Sequence, residues 1–414
     1  MLPIPPNKGE TPMGNIPNNQ VICKCLDLLN IGDERDKILD FRAQKLTVSK
    51  LVKLMIEAQL KQHSSYSVIS DHLRSSDLFQ QVIGLESISE SQISRKLRAL
   101  PHSYGQQLFL NTVQKLKELN KDQAGIPDLG KLQIVDSTEI TLPSIAGRWA
   151  YCSKTKNAVK MHTRLVIADP HTVFPDRIIA STADVADSEV VMDLVTDDDT
   201  IYVLDRGYIV YRYYATWSEH NLRFVARIQK RNKIIILHER DVSESDKVLC
   251  DADVRISFKW NQEEHEVLLR LVEFQDDKGK EYRILTNVYD LSAEQISEIY
   301  RYRWMIELFF KWIKGHLKLV KLYSVEPEAV WTQMYLALTA YALVLMVKLI
   351  TGTTRTPWKV LQLLRLYMTH SWEAFLEEMC REPTRTSTGR RKKAKKGRPR
   401  KHPIKVKPAH LIVN

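Results

Sequence analysis

Three acids in this chain stand where chemistry is possible. Asp136 and Asp205 each close an apolar run, LQIVD and TIYVLD, and Glu307 lies within YRYRWMIELFFKWIKGHLK, Tyr300–Lys318. A charge buried without a partner at the end of an apolar segment costs several kcal/mol, so each aspartate needs compensation. One source is a cation of the chain itself, with Arg206 adjacent to Asp205 and Lys160 or Arg164 as further candidates. The other is a divalent metal ion shared by two strand-end aspartates and a helix glutamate. Singly, each carboxylate reads as a salt-bridge or cap residue. Together they favour the metal. At about 3.6 residues per turn, Tyr300, Arg303, Glu307, Lys311, Lys314 and Lys318 fall on one narrow stripe, and nearly all the remaining circumference is apolar. The expectation is one helix buried almost all round, with a polar slit whose cations suit phosphate. Ser292 with Gln295 forms an S-x-x-Q capping box ahead of it, and Leu291 is placed to act as a staple.

The elements that would position these residues follow from periodicity. After Gly125-Ile126-Pro127 the pattern changes from helical to strand-like. Leu132–Leu142 is a strand interrupted by Asp136; Arg164–Ala168 and Val173–Ala180 form a hairpin around Asp169-Pro170-His171; Thr200–Tyr208 and Leu222–Ile228 supply two more strands. Three strands, a helix, a strand, a helix and a strand make a mixed sheet of the α/β class. Residues 230–287 form a second β-rich block that reads as an insertion, with strands at Lys233–Leu237, Val254–Phe258, Val267–Phe274 and Tyr282–Thr286. Helices then resume at Val330–Ile350 and Trp358–Met379. Upstream, helical patterning runs to about Asn120, with Phe41–Leu60 at helical spacing and Ser87–Leu100 capped at Ser89 and stopped by Pro101. In the latter segment Gln92, Ser94, Arg95, Lys96 and Arg98 suit either a DNA groove or an ordinary surface helix.

Composition narrows the class. The chain has 414 residues and is 44% hydrophobic, enough for a sizeable core and two or three domains. Its net charge of +11 is carried by residues 381–414, where 13 Lys and Arg face one acid. The basic character is therefore a tail, too poor in apolar residues to join a core. Within it, Gly397-Arg398-Pro399-Arg400 has the form of a segment that lays arginines into an A·T-rich minor groove, or else of a plain polybasic tail. Five scattered cysteines, Cys23, Cys25, Cys152, Cys250 and Cys380, make no disulfide framework and fit a reducing compartment. Met334–Val347 is apolar, but at 14 residues it is short of the roughly 18–20 needed to span a bilayer. It is expected as a core helix, with no membrane partner.

Tyr300, Arg303, Glu307 and Lys314 keep the spacing Tyr-x2-Arg-x3-Glu-x6-Lys. With the surrounding RWxIExFFKxxK, and with IVDST and LDRGY about the two aspartates, the chain resembles the DDE transposases of bacterial insertion sequences, in the IS-four family, over Leu132–Lys318. The resemblance implies a ribonuclease-H-like mixed-sheet core with a β-rich insertion between the second aspartate and the glutamate, which here lie 102 residues apart. It implies a catalytic core in two parts, 129–229 and 288–380, about an insertion at 230–287; residues 1–128, helical and a DNA-binding candidate, and the tail, 381–414, are less defining of the family, and their roles stay open. Asp136, Asp205 and Glu307 would be catalytic and hold two Mg2+ ions, with Mn2+ able to substitute. DNA would be contacted by Tyr300, Arg303, Lys311, Lys314 and Lys318, with Arg398 and Arg400 as candidates from the composition of the tail. The partners implied are double-stranded DNA, as transposon ends and target, and a second copy in a synaptic homodimer, in the bacterial cytoplasm at the nucleoid. Trp304 is expected in the core rather than on a base, and Trp260 is a candidate for stacking on a flipped base. His162 is placed either near the site or as a structural strand residue. The alternative to an active transposase is an idle DNA-binding regulator or domesticated descendant; a nuclease without strand transfer is a third option.

Overall fold

The computed structural model describes residues 19–32, 35–120, 125–242 and 246–382. Six helices come first: α1 (Val21–Leu29), α2 (Val48–Lys61), α3 (Tyr66–Ser75), α4 (Asp77–Ile83), α5 (Glu90–Ala99) and α6 (His102–Leu119). Thr47, Ser65, Ser76 and Ser89 start four of them, each side chain accepting the backbone N–H three residues on. Ser89 and Gln92 complete a reciprocal capping box, as their spacing predicts. The helix expected from Phe41 begins only at Val48, whose N–H is taken by the Asp40 carboxylate at 2.9 Å, and Phe41 is exposed.

The β-rich part contains β1 (Leu132–Leu142), β2 (Tyr151–Ser153), β3 (Lys156–Asp169), β4 (Thr172–Thr182), α7 (Asp187–Leu194), β5 (Ile201–Leu204), α8 (Tyr211–Glu219) and β6 (Arg223–Arg227). The strands β7 (Ile235–Glu239), β8 (Val248–Trp260), β9 (Glu263–Gln275) and β10 (Glu281–Thr286) follow. Among the described residues all ten strands join one sheet. One half runs β4-β3-β1-β5-β6, with β3 antiparallel to β1 and with β1, β5 and β6 parallel, which is the ribonuclease-H-like order. Residues 230–287 add the rest: β10 pairs antiparallel with β6, and β9, β8 and β7 follow outward. Successive residues face opposite sides. Ile134, Val203 and Val225 enter one apolar cluster, while Val135, Leu204 and Ala226 enter the other. Burial on both faces explains why these short parallel strands are continuous apolar runs. Pro175 is accommodated because β4 is an edge strand with a register shift nearby.

The remaining helices are α9 (Ala293–Arg301), α10 (Trp304–His316), α11 (Pro327–Thr351), α12 (Pro357–Tyr367) and α13 (Trp372–Cys380). The single helix expected across Tyr300–Lys318 is in fact two. Tyr302 and Arg303 form a tight turn, their N–H groups donating three residues back to Ile299 and Tyr300, before α10 begins at Trp304. The 14-residue apolar run belongs to the longer α11, of 25 residues with Pro327 in its first turn. By length and composition α11 is able to cross a membrane, yet 78% of its most apolar stretch is buried inside the fold. It packs against α6, α2, α5 and α12, so the N-terminal helices wrap the same core that carries α10.

Candidate active site

The pairing of β1, β5 and β6 assembles the first half of the site. Val135 lies opposite Leu204, and Leu204 opposite Ala226. The next residue of each strand, Asp136, Asp205 and Arg227, therefore emerges at the same carboxyl edge of the parallel sheet, where α/β folds place their ligands. Arg227 Nη1 stands 3.9 Å from Asp205 Oδ1, and the Tyr300 hydroxyl donates to that oxygen at 3.1 Å. From the turn before α10, Arg303 bridges the other two acids. Its Nη1 is 3.8 Å from Asp136 Oδ2, and its Nη2 donates to Glu307, one helical turn on. The structure thus brings Asp136, Asp205, Glu307, Tyr300 and Arg303 together.

The electrostatics of Asp136 are those of an undercompensated acid. Burial pushes its carboxyl up, and the repulsion of Asp205 and Asp187 adds to this. The Ser137 N–H at 2.8 Å and the Arg303 guanidinium pull the other way and lose; the group is left at about 6. The Tyr300 hydroxyl is driven well above its ordinary value, by burial and then by Asp205, so it stays a donor. The donors here are carboxylate oxygens, one of them on a group destabilised by burial and crowding, and such donors are of the kind a hard divalent cation takes.

Two neighbours escaped the sequence reading. Arg227 was findable in principle, because it ends strand β6 just as Asp205 follows β5. Asp187 carries no such signal. It opens α7 and reaches the site only through tertiary packing, its carboxylate 3.1 Å from His162 Nδ1 and 3.5 Å from Lys160 Nζ. Burial alone would raise Asp187, but His162, Ser137 and Lys160 hold it below the usual carboxylate range. His162 is fully buried on β3, with Nε2 2.9 Å from Ser181 Oγ; it is a strand histidine and a neighbour of the site at once.

The lysines of the expected stripe divide. Lys314 is half-buried and donates to the Glu139 carbonyl of β1 at 2.9 Å, so α10 lies along β1 with Arg303 at Asp136 and Lys314 three residues further. Lys311 is exposed, and Lys318 sits with Nζ 5.7 Å from the Tyr323 ring centre. Trp304 corrects the expectation of a core residue: it is 56% exposed, and Leu308, one turn on, is exposed beside it. Trp260 is exposed at the end of β8, 5.7 Å from the His265 ring. On α5, Arg95 and Arg98 face solvent, whereas Lys96 is tied to Asp40 at 2.6 Å. Arg398 and Arg400 lie outside the described residues.

Residues 128–343 match the model of the transposase DDE domain. The chain belongs to that family. The match opens just before β1 and closes inside α11, so it takes in all three carboxylates and both halves of the sheet. Among similar proteins, one from Geobacillus stearothermophilus is named "Probable transposase for insertion sequence element IS5377"; it is 26% identical over 308 residues, 73% of this chain and 76% of that protein. A protein of Sinorhizobium fredii, named as transposase y4zB, is 32% identical over 216 residues, 51% of this chain and 59% of its own. A third, of Synechocystis, is named as a transposase for insertion sequence element IS4SA and is 29% identical over 154 residues, 35% of this chain and 40% of that protein. In this DDE domain Asp136 and Asp205 stand at one edge of the sheet, and Glu307 of α10 is joined to Asp136 through Arg303.

Proposed function

We propose that this chain is the transposase of an insertion sequence, which binds the duplex ends of its element and catalyses metal-dependent strand cleavage followed by strand transfer. The observation that carries the reading is the meeting of Asp136 and Asp205, at the ends of adjacent strands, with Glu307 through the shared Arg303. These carboxylates would hold two Mg2+ ions, or Mn2+ in their place. Bound there, the ions supply Lewis-acid activation of a water or 3′-hydroxyl and stabilisation of the leaving oxygen. The chain's own side chains do the rest. Tyr300 and Arg227 hold Oδ1 of Asp205, and its second oxygen would be the one given to an ion. Arg303 keeps Asp136 and Glu307 apart from one another's charge and, on ion entry, is free to turn a fork of donors to a DNA phosphate. Lys311 and Lys318, with Lys314 at the floor of α10, would hold the backbone so that the scissile bond stays in line.

In the same reading residues 1–128 contribute to recognition of the ends, with Arg95 and Arg98 outward on α5. Residues 129–229 and 288–380 form the catalytic core, and 230–287 widen its sheet. Residues 381–414, with Arg398 and Arg400, add sequence-independent affinity. A second copy is required because two ends must be joined, and the setting is the soluble cytoplasm rather than a membrane.

The test incubates the chain with duplex carrying its element's ends and Mg2+, resolving products by strand. Wild type should nick and join the ends, and Glu307→Gln should lose cleavage by at least about a thousandfold, the several kcal/mol that metal stabilisation supplies. End binding should persist in that variant. Cleavage within about tenfold of wild type would overturn the assignment. Binding without any cleavage by the wild type would leave only a DNA-binding regulator.

A further inference from the structure

The N-terminal helices carry a second group of metal-ligating side chains, remote from the carboxylates of β1, β5 and α10. Glu57 lies in the last turns of α2, His63 follows the left-handed cap at Gln62, and His72 is on α3. Their ligating atoms all lie within 4.8 Å of one another. His63 Nε2 is 3.0 Å from Glu57 Oε2, and His72 Nε2 is 3.2 Å from Glu57 Oε1. Four ligands about 2.0–2.1 Å from a tetrahedral zinc ion stand roughly 3.3 Å from one another; the two contacts here end on different oxygens of Glu57, and a rotation of that carboxylate would bring one oxygen to both imidazoles.

The hydrogen bonding supports the same conclusion. Glu57 is 1% exposed, and its buried Oε1 makes no hydrogen bond. Lys61 Nζ stands 3.4 Å from that oxygen and 3.2 Å from His72 Nε2. One imidazole nitrogen cannot satisfy both neighbours. Protonated, it faces the ammonium; unprotonated, it turns a lone pair on the carboxylate. A divalent ion removes the conflict, since the carboxylate and both nitrogen lone pairs then point at it. The Lys61 ammonium marks where a cation is wanted, and its partly exposed side chain at the end of α2 has solvent to swing into. His63 and His72 retain an edge to solvent, which supplies an entry path.

We propose that Glu57, His63 and His72 form a structural zinc site that fixes the seat of α10. The end of α2 and the loop after it hold the far end of that helix. Lys318 N–H donates to Gln59 at 2.9 Å, the Tyr323 hydroxyl donates to the His63 carbonyl at 2.8 Å, and Gln62 reaches the Gly315 carbonyl at 3.3 Å. Zinc closing Glu57 onto His63 and His72 locks α2 to α3 and stiffens this support, while water or the displaced solvent shell completes the fourth position.

The experiment uses the full, tag-free chain, stripped with chelator and titrated with Zn2+ or Co2+. One zinc equivalent should bind, raise the unfolding temperature and give cobalt absorption of four-coordinate strength. His72→Gln and Glu57→Gln should lose that equivalent, and an Asp136→Asn/Glu307→Gln chain should keep it. Lys61→Met provides the check that does not rest on loss, because removing the competing ammonium should tighten zinc binding by about tenfold or more. A wild-type chain that takes up no zinc, uptake indifferent to His72→Gln and Glu57→Gln, or a Lys61→Met chain with no gain in zinc affinity would each reduce the cluster to a hydrogen-bonded hub and overturn the proposal.

Discussion

Buried and half-buried carboxylates coexist in the sheet, and they are built differently. Asp176 on β4 and Asp251 on β8 each face an arginine fork at full length. Arg164 Nε and Nη2 donate to the two oxygens of Asp176 at 2.8 and 2.9 Å, and its Nη1 is used on the Leu194 carbonyl and Thr196. Arg270 does the same with Asp251 at 2.8 Å twice, and spends its Nη1 on the Val288 and Leu291 carbonyls. Burial would raise Asp251, but Arg270 and Arg240 hold it below the ordinary carboxylate range. Asp136 has the Ser137 N–H and, as its nearest cation, Arg303, 3.8 Å away and shared with Glu307, and sits at about 6. Carboxylates that hold the fold are saturated by the chain itself. Asp136, at the proposed catalytic edge, is left short of positive charge, which an ion can supply.

The comparison breaks most visibly at Arg164. Arg164→Met should destabilise the fold by about 2–3 kcal/mol, since Asp176 loses both hydrogen bonds of the fork and is left with Lys117, 2.8 Å from its Oδ2, and denaturant unfolding measures this. A loss below about 1 kcal/mol would place Asp176 with the undercompensated acids. Arg303→Ala should behave in the opposite way. Stability should change little, because the guanidinium satisfies neither acid fully, while cleavage falls by about a hundredfold as the end is held out of line. Calorimetric metal binding should survive that substitution. Loss of metal with DNA affinity intact would make Arg303 part of the metal's support rather than a phosphate contact.

Acidity sharpens the contrast with a smaller effect. The ion needs Asp136 as a carboxylate, and that group takes up its proton near 6. Metal affinity should therefore fall by about tenfold for each pH unit below 6, measurable by Mn2+ titration. The metal-free chain has the reverse dependence. Between pH 4 and 6 the folded protein holds a proton on Asp136 that the unfolded chain has released, so stability falls as pH rises through this window.

Much of this was legible in the sequence because it is local. Strand β1 runs over Leu132–Leu142 as its apolar run implies, the hairpin turns at Asp169–His171, and the capping boxes at Ser89 and Ser292 form. The carboxylate signature was legible for the same reason: each acid ends or interrupts a pattern. What was hidden depends on pairing across long separations. Nothing in residues 230–287 announces that β10 hydrogen-bonds to β6 and makes the block part of one sheet. The break at Tyr302–Arg303 lacks a glycine or proline to mark it, and helical periodicity runs through it, which is why Trp304 was expected inside. Asp187 and His162 meet only when α7 docks on β3. Glu57, His63 and His72 are separated by a helix end and a loop, with no spacing that points to a shared ion.

The central claim, that Asp136 at the proposed catalytic edge is short of positive charge, is tested most directly by thermal unfolding of wild type and Asp136→Asn at pH 7.5, each with and without Mn2+. Any ion at the Glu57 cluster acts on both chains alike, so the difference isolates the edge. The account predicts that metal-free Asp136→Asn unfolds at the same temperature as metal-free wild type or above it, because a destabilising charge is gone. It also predicts that Mn2+ raises the wild-type transition clearly and the variant's much less. A metal-free Asp136→Asn that unfolds well below wild type, with the Mn2+ response of the two chains equal, would show that Asp136 is a structural acid like Asp251 and would contradict the account.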